Sequence, residues 1–86
     1  NQVQINTSTP GLSPEDVEKQ VTYPIENALS GIYGLEGTRS ISRDGFSQVT
    51  VIFKDDVNIY FARQQISERL AEAKEILPPT ADPKMG

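Results

Sequence analysis

The order in which two apolar periodicities follow each other along the 86-residue sequence constrains its fold more than any other feature. Apolar residues recur at every second position in three segments, as in half-buried strands, and at steps of three or four in two segments, as in amphipathic helices. In chain order these segments are a strand (2–7), a helix (17–32), two strands (36–43 and 46–54) and a second helix (59–77). This order predicts an α+β domain in which two helices cover one face of an antiparallel sheet.

The first helical segment has clear start and stop signals and one irregular position. Ser13 is a suitable N-cap, Pro14 suits the first helical position, and Gly31 follows the last turn. Pro24 lies inside the pattern, where it removes a backbone donor and crowds the preceding turn. We therefore expect a kink or break near residues 20–24. The apolar stripe of this helix consists of Val17, Val21, Ile25, Leu29 and Ile32.

The second half of the chain is divided by equally clear signals. Residues 43–46 read Arg-Asp-Gly-Phe and carry the Asp-Gly signal of a β-hairpin between the second and third strands. The third strand is the most apolar, and we expect it in the interior of the sheet. Asn58 is a suitable N-cap for the second helix, which Pro78-Pro79 end. Its apolar stripe consists of Ile59, Ala62, Ile66, Leu70, Ala73 and Leu77.

This order supplies five of the six elements of a ferredoxin-like split βαβ sandwich. The sixth would be a strand beside the first, but the nine residues after Leu77 include three prolines and are poor strand formers. We therefore expect the last strand to be missing, and the open edge of the first strand to be covered by another copy or by the chain's own tail. Because both ends read as cuts, residues 1–86 are expected to be a single subdomain of a longer protein.

The composition excludes several classes of catalytic site. The sequence has no cysteine and no histidine, so it lacks thiolate ligands, the imidazole base of a serine triad and the commonest metal ligand. A net charge of −4 and the absence of a basic patch argue against nucleic-acid binding. No apolar run approaches the ~20 residues needed to cross a bilayer. We expect no enzymatic activity and no bound cofactor.

Two groups of acidic residues are candidate cation sites, because carboxylate oxygens suit hard metal ions. Asp55-Asp56 precede the second helix, where acids ordinarily complement the helix dipole. The second group lies on one face of that helix and consists of Glu68, Glu72 and Glu75. Arg69 and Lys74 are close enough in sequence to offset the repulsion within this group. A solvated loop and a solvated helix face are the favoured interpretations, so we assign no metal ligand.

A third candidate is a surface on the second helix, opposite its apolar stripe. It consists of Tyr60, Gln64, Ser67, Ala71 and Glu75. These side chains recur at helical spacing and, apart from the last, are uncharged, whereas an ordinary exposed helix face carries more charge. Such a stripe suits helix–helix contact around a wet channel, and it is also within what chance produces. The residues alone leave both interpretations open.

Nine short strings spread over nearly the whole chain carry a family resemblance. They are PGLSP (10–14), VTYPIE (21–26), GLE (34–36), TRS (38–40), SR (42–43), SQVTVIFKD (47–55), IYFARQ (59–64), ERL (68–70) and LPP (77–79). In this order they resemble the large subunit of resistance-nodulation-division (RND) transporters of the heavy-metal efflux branch, and the cobalt–zinc–cadmium type more than the copper–silver type. One departure falls in the loop before the second helix, where residues 55–58 read Asp-Asp-Val-Asn and the family tends to have Asp-Gly-Thr-Asp.

The resemblance implies a transport role and a place in a larger assembly. Pumps of this family are trimers in the inner membrane of Gram-negative bacteria, use proton influx to export divalent metal cations, and join a periplasmic adaptor and an outer-membrane channel. The chain is similar to their first periplasmic porter subdomain, whose second helix lines the central pore. That similarity implies that the five-residue stripe faces the pore or a trimer contact, and it assigns no catalytic or metal-binding residue to this segment. The alternative is a small regulatory ligand-binding module of the same fold class, and a small hydrolase is a third, weaker possibility.

Overall fold

Four strands form one antiparallel sheet in the computed structural model, which describes residues 1–85. The strands are β1 (Gln2–Ser8), β2 (Leu35–Arg43), β3 (Phe46–Phe53) and β4 (Asp82–Met85). They lie in the order β2-β3-β1-β4, and every neighbouring pair is antiparallel. The most apolar strand, β3, has neighbours on both sides, so its predicted interior position is confirmed.

Two helices complete the domain. The first runs without interruption as α1 (Pro14–Val17), a π-helical turn (Glu18–Thr22) and α2 (Tyr23–Leu29). The second is α3 (Ile59–Ala73). The order of strands and helices, β-α-β-β-α-β, is that of a ferredoxin-like split βαβ sandwich, so the predicted fold class is confirmed.

Both predicted N-caps satisfy backbone donors at the start of a helix. The Ser13 hydroxyl accepts a hydrogen bond from the Asp16 N–H at 3.3 Å. The Asn58 side-chain oxygen accepts from the N–H groups of Tyr60 at 2.9 Å and Phe61 at 3.3 Å. These contacts fix where each helix begins, because the first N–H groups of a helix have no partner within it.

The prediction that the last strand is missing is wrong. Residues Asp82–Met85 form β4, which pairs with Ile5–Ser8 of β1 and covers the edge that we expected to be open. The edge of β1 is thus covered by the chain's own tail and not by another copy, which were the two expected alternatives. The ferredoxin-like fold is therefore complete within the described residues.

Pro83 is tolerated in β4 because its missing N–H would point away from the sheet. The Thr9 N–H donates to the Gly45 carbonyl at 2.8 Å, so the odd-numbered residues of β1 direct their backbone groups toward β3. Thr7, the partner of Pro83, is one of these residues. The β1–β4 hydrogen bonds are consequently made by the neighbours of Pro83, and an edge strand accepts proline at such a position. The position of a proline in the ladder matters here, and the number of prolines does not.

The irregularity expected near Pro24 takes the form of a π-helical turn. The Tyr23 N–H donates to the Glu18 carbonyl, five residues back instead of the usual four. The wider turn accommodates the proline ring, which would crowd the preceding turn of a regular α-helix. The helix therefore continues to Leu29 and ends before Gly31, whose φ of 83° lies in the left-handed region.

The hydrophobic core lies between the two helices and the inner face of the sheet. All five apolar residues predicted for the first helix are buried, as are five of the six predicted for the second. The sixth, Ile59, is partly buried against the same core, and Leu77 is buried although α3 ends at Ala73. The sheet contributes Val3, Ile5, Val49, Val51 and Phe53.

A chain of hydroxyl groups fastens the π-helical turn to the β2–β3 hairpin. The Ser42 hydroxyl donates to a Glu18 carboxylate oxygen at 2.7 Å. Thr22 Oγ1 lies 2.8 Å from Ser42 Oγ and 2.7 Å from the buried Ser47 Oγ. Since each hydroxyl has one hydrogen, Thr22 donates to Ser42, and Ser47 donates to Thr22. The Glu18 carboxylate therefore orients a sequence of three hydroxyl groups that ends in the core.

A second carboxylate of the first helix lies beside the same strand. Partial burial raises the pKa of Glu26 above its ordinary value of 4.5, and the nearby Glu18 carboxylate raises it further. A hydrogen bond with the Ser40 side chain acts in the opposite direction but does not cancel the increase. Folding therefore makes ionisation of Glu26 less favourable than it is in the unfolded chain.

The loop that enters β2 is packed against the loop that enters α3. Gly34 has φ of 83°, and a Cβ atom added there would overlap the side chain of the buried Val57. Asp56, where the resemblance leads us to expect glycine, has a negative φ, and the only described residues with positive φ are four glycines. This loop therefore reaches Asn58 without needing glycine at residue 56.

We expect Gly34→Ala to destabilise the domain by about 2–5 kcal/mol, because a left-handed alanine costs roughly 1–2 kcal/mol and overpacking against Val57 adds ~1–3 kcal/mol. Urea unfolding of the 86-residue chain measures the loss. Gly11→Ala is the matched control, since Gly11 has φ of 90° but no atom within 4 Å of the added Cβ. Equal losses in the two variants would contradict the proposed contact.

We expect Glu26→Gln to alter the pH dependence of stability. Because its folded pKa is raised, the contribution of Glu26 to stability is fully present below the ordinary pKa of 4.5 and is lost as pH rises through the folded value. The variant lacks this decline and should unfold at a higher urea concentration than wild type at pH 7. Glu75→Gln, on the exposed end of the other helical segment, is the control. A steeper decline in Glu26→Gln than in wild type would contradict the assignment.

Candidate functional site

The five side chains predicted to share a surface of the second helix are all exposed. Tyr60, Gln64, Ser67 and Ala71 lie on α3, and 80% of the Tyr60 surface is accessible. Glu75 lies two residues beyond the end of α3, in a turn where the Lys74 N–H still donates to the Leu70 carbonyl at 3.0 Å. The structure thus brings the first four together on one helix face and carries the fifth on the turn that extends it.

Burial on the opposite side of α3 dictates which face is exposed. Ala62, Ile66 and Leu70 are buried in the core, so the side chains on the opposite side of the helix point toward solvent. Phe61 and Ile76 are also exposed, by 47% and 70%, and the sequence pattern did not single them out. Ile76 lies beside Lys19, Gln20 and Pro24 of the first helical segment, so it belongs to a different surface from the five predicted residues.

One side of α3 is anchored to the end of the first helix. The Arg69 guanidinium donates to the carbonyl oxygens of Ala28 at 3.0 Å and Ser30 at 3.2 Å. Carbonyl groups in the last turn of a helix have no partner within it, and a cation is favourable at that end of the dipole. The sequence interpretation had Arg69 offsetting neighbouring glutamates, and the structure instead gives it this capping contact.

The other side of α3 faces the edge strand across a shallow groove. The groove has a volume of about 280 Å³ and is lined by Ser67, Leu70, Ala71, Lys74, Pro83 and Met85. The Lys74 ammonium lies 3.4 Å from an Asp82 carboxylate oxygen, and both side chains are more than half exposed. An exposed pair of this kind contributes ~0–1 kcal/mol. Its main effect is that the two sides of the groove carry compensating charges.

Acidic residues do not converge on a cation site in the described part of the chain. Asp55 and Asp56 are exposed in the loop before α3. Glu68, Glu72 and Glu75 are exposed on or just after α3. Among residues 1–85, no group of three or more histidine, cysteine, aspartate or glutamate side chains is arranged to hold a metal ion. Over the same residues, no helix has the length and apolarity needed to cross a membrane.

Comparison with known proteins places the whole chain in one family. Residues 1–86 match the model of the AcrB/AcrD/AcrF family. The chain is 62% identical over 85 residues to the nickel and cobalt resistance protein CnrA of Cupriavidus metallidurans, and 58% identical over 85 residues to the cobalt-zinc-cadmium resistance protein CzcA of the same organism. Each match covers 99% of this chain and 8% of the relative.

The fold agrees with these matches. A crystal structure of a heavy metal efflux pump superimposes with a TM-score of 0.91 at 37% sequence identity, covering 100% of this chain and 9% of that one. The resemblance carried by the nine strings, to the heavy-metal branch and to its cobalt–zinc–cadmium type, is therefore confirmed. The residues and the fold lead to the same conclusion: this chain belongs to the AcrB/AcrD/AcrF family, and its relatives CnrA and CzcA are metal resistance proteins about twelve times its length.

Proposed function

We propose that this chain is a porter subdomain in the periplasmic part of a proton-driven, inner-membrane pump that exports divalent metal cations. The observation that carries the proposal is 62% identity, over 99% of the chain, to a nickel and cobalt resistance protein. In this proposal residues 1–86 are one subdomain of a pump subunit that acts as a trimer, together with a periplasmic adaptor and an outer-membrane channel. The metal cation is the cargo of the whole pump and has no binding residue in this segment.

Within such a pump, the stripe on α3 would face the central pore or a neighbouring subunit. The stripe is solvent-exposed in the isolated chain and lies opposite the core. Its four members on α3, Tyr60, Gln64, Ser67 and Ala71, are uncharged. A surface that is free of charge can approach a second helix without burying unpaired ions, which would otherwise be costly.

The proposed subdomain performs no bond chemistry. Its rigid core, closed by β4 and by the hydroxyl chain at the π-helical turn, would let it move as one body against neighbouring subdomains. Rigid-body motion of this kind is how many transporters alternate access to their cargo. Energy from proton influx would enter elsewhere in the pump.

The completeness of the fold does not separate a pump subdomain from the alternative of a regulatory ligand-binding module. A free-standing module needs a complete fold, and β4 completes the fold here. What favours the pump is the match along the entire chain to resistance proteins, together with the fold match at 37% identity.

Metal tolerance of cells tests the pump assignment. Deletion of the full-length gene is expected to lower tolerance to at least one of nickel, cobalt, zinc and cadmium, and restoring the gene should restore tolerance. Unchanged growth on all four metals would count against a pump. Glu68→Ala and Glu72→Ala in the restored gene should keep tolerance, because these exposed carboxylates are assigned no role in holding the cargo.

The position of the stripe has a separate test. In the full-length protein, Ser67→Lys should reduce tolerance toward that of the deletion strain, because it introduces an ammonium group into a close contact. Glu68→Lys is the matched control, with the same new side chain one residue off the stripe, and should be tolerated. Membrane levels of both variants are measured by immunoblot. Equal tolerance in the two variants, at equal levels, would remove the stripe from the proposal and leave the pump assignment intact.

A further inference from the structure

The two outer edges of the sheet are built very differently. The edge strand β4 includes Pro83 and carries Lys84, which are features that discourage a further strand from pairing. The edge strand β2 has nine residues, Leu35–Arg43, and contains neither proline nor lysine. Its one irregularity is a bulge between Leu35 and Gly37, so residues 38–43 remain regular. One edge is thus protected, and the other is suited to pairing.

The outer backbone groups of β2 can be identified from its pairing with β3. Arg43 pairs with Phe46 across a two-residue turn, so residues 43, 41 and 39 direct their N–H and C=O groups toward β3. Thr38, Ser40 and Ser42 alternate with them and direct theirs outward. These three residues therefore present up to six backbone hydrogen-bonding groups along the free edge.

The side chains of β2 indicate which side chains a strand paired with it should have. On the outer face of the sheet lie Arg39, Ile41 and Arg43, all exposed. Neither guanidinium forms an ion pair with a carboxylate within residues 1–85. On the helix face, Ser42 donates a hydrogen bond to Glu18 at 2.7 Å, and Glu26 lies near Ser40. The edge is thus basic on one face and acidic on the other.

We propose that β2 is extended by a strand from the same polypeptide, outside these 86 residues, with acidic side chains opposite Arg39 and Arg43 and an apolar side chain opposite Ile41. Its helix-facing residues would be hydrogen-bond donors such as serine, threonine or lysine, because they meet Glu18 and Glu26. The relatives' twelvefold greater length supplies the candidate segments. This inference requires a segment of the same polypeptide outside these 86 residues, and it does not depend on transport activity. Pairing of this kind is β-strand addition, in which backbone hydrogen bonds give affinity and alternate side chains give specificity.

Photo-cross-linking in the full-length protein identifies the occupant. We replace Ile41 with p-benzoylphenylalanine, irradiate the purified protein and sequence the cross-linked peptide by mass spectrometry. A peptide from elsewhere in the same polypeptide, with acidic residues at positions two before and two after an apolar one, is the expected result. A cross-link to residues 35–43 of a second copy, a cross-link to another protein, or no cross-link would overturn the proposal.

Hydrogen exchange supplies an independent readout that does not depend on transport. The amides of Thr38, Ser40 and Ser42 should exchange slowly in the full-length protein, and Arg39→Glu should accelerate them at least about tenfold by placing a carboxylate opposite another. Lys54→Glu, an exposed charge reversal just after β3, is the control and should leave them unchanged. Fast exchange at these three amides in the wild-type protein, with residues 47–53 still protected, would overturn the proposal.

Discussion

Pairing of β1 on both of its sides is the constraint on which the rest of the structure depends. β1 joins β3, and through it the hairpin, to β4, which returns from the end of α3. The inward residues of β1, Val3 and Ile5, are fully buried under both helices. Without the β1–β3 ladder the sheet would lose its continuity, and without the β1–β4 ladder the edge of β1 would be open. Residues Asp82–Met85 are therefore part of the domain.

The sequence predicted the elements that depend on periodicity and local signals. The apolar stripes of both helices, both N-caps, the Asp-Gly hairpin and the interior position of β3 follow from the spacing and the type of residues, because helices and strands bury one face. The last strand could not be predicted in the same way. Whether Pro83 breaks a strand depends on which side of the ladder it occupies, and that is decided by the register with β1.

Contacts between elements that are distant in sequence were also beyond prediction. Arg69 caps the end of the first helix 39–41 residues away, although its neighbours in sequence are glutamates. The hydroxyl chain from Ser47 to Glu18 joins a helix to a hairpin. The sequence offers one signal for it, because Ser42 and Ser47 are paired across the Asp-Gly hairpin. For the candidate site, the helical spacing predicted which residues share the stripe. The exposed Phe61 and Ile76 were missed because they fall outside that spacing.

The π-helical turn also sets the rotational phase of the first helix. Its buried residues Val17, Val21, Ile25 and Leu29 follow one another at steps of four, and in a regular α-helix each such step drifts by about 40° around the axis. Over three steps the drift would reach about 120°, enough to turn Leu29 away from the side on which Val17 lies. A turn with more residues per revolution cancels part of this drift, so all four side chains stay over the sheet. Residues 18–22 therefore act as a phase correction, and removing one of them would redirect every side chain that follows in the helix.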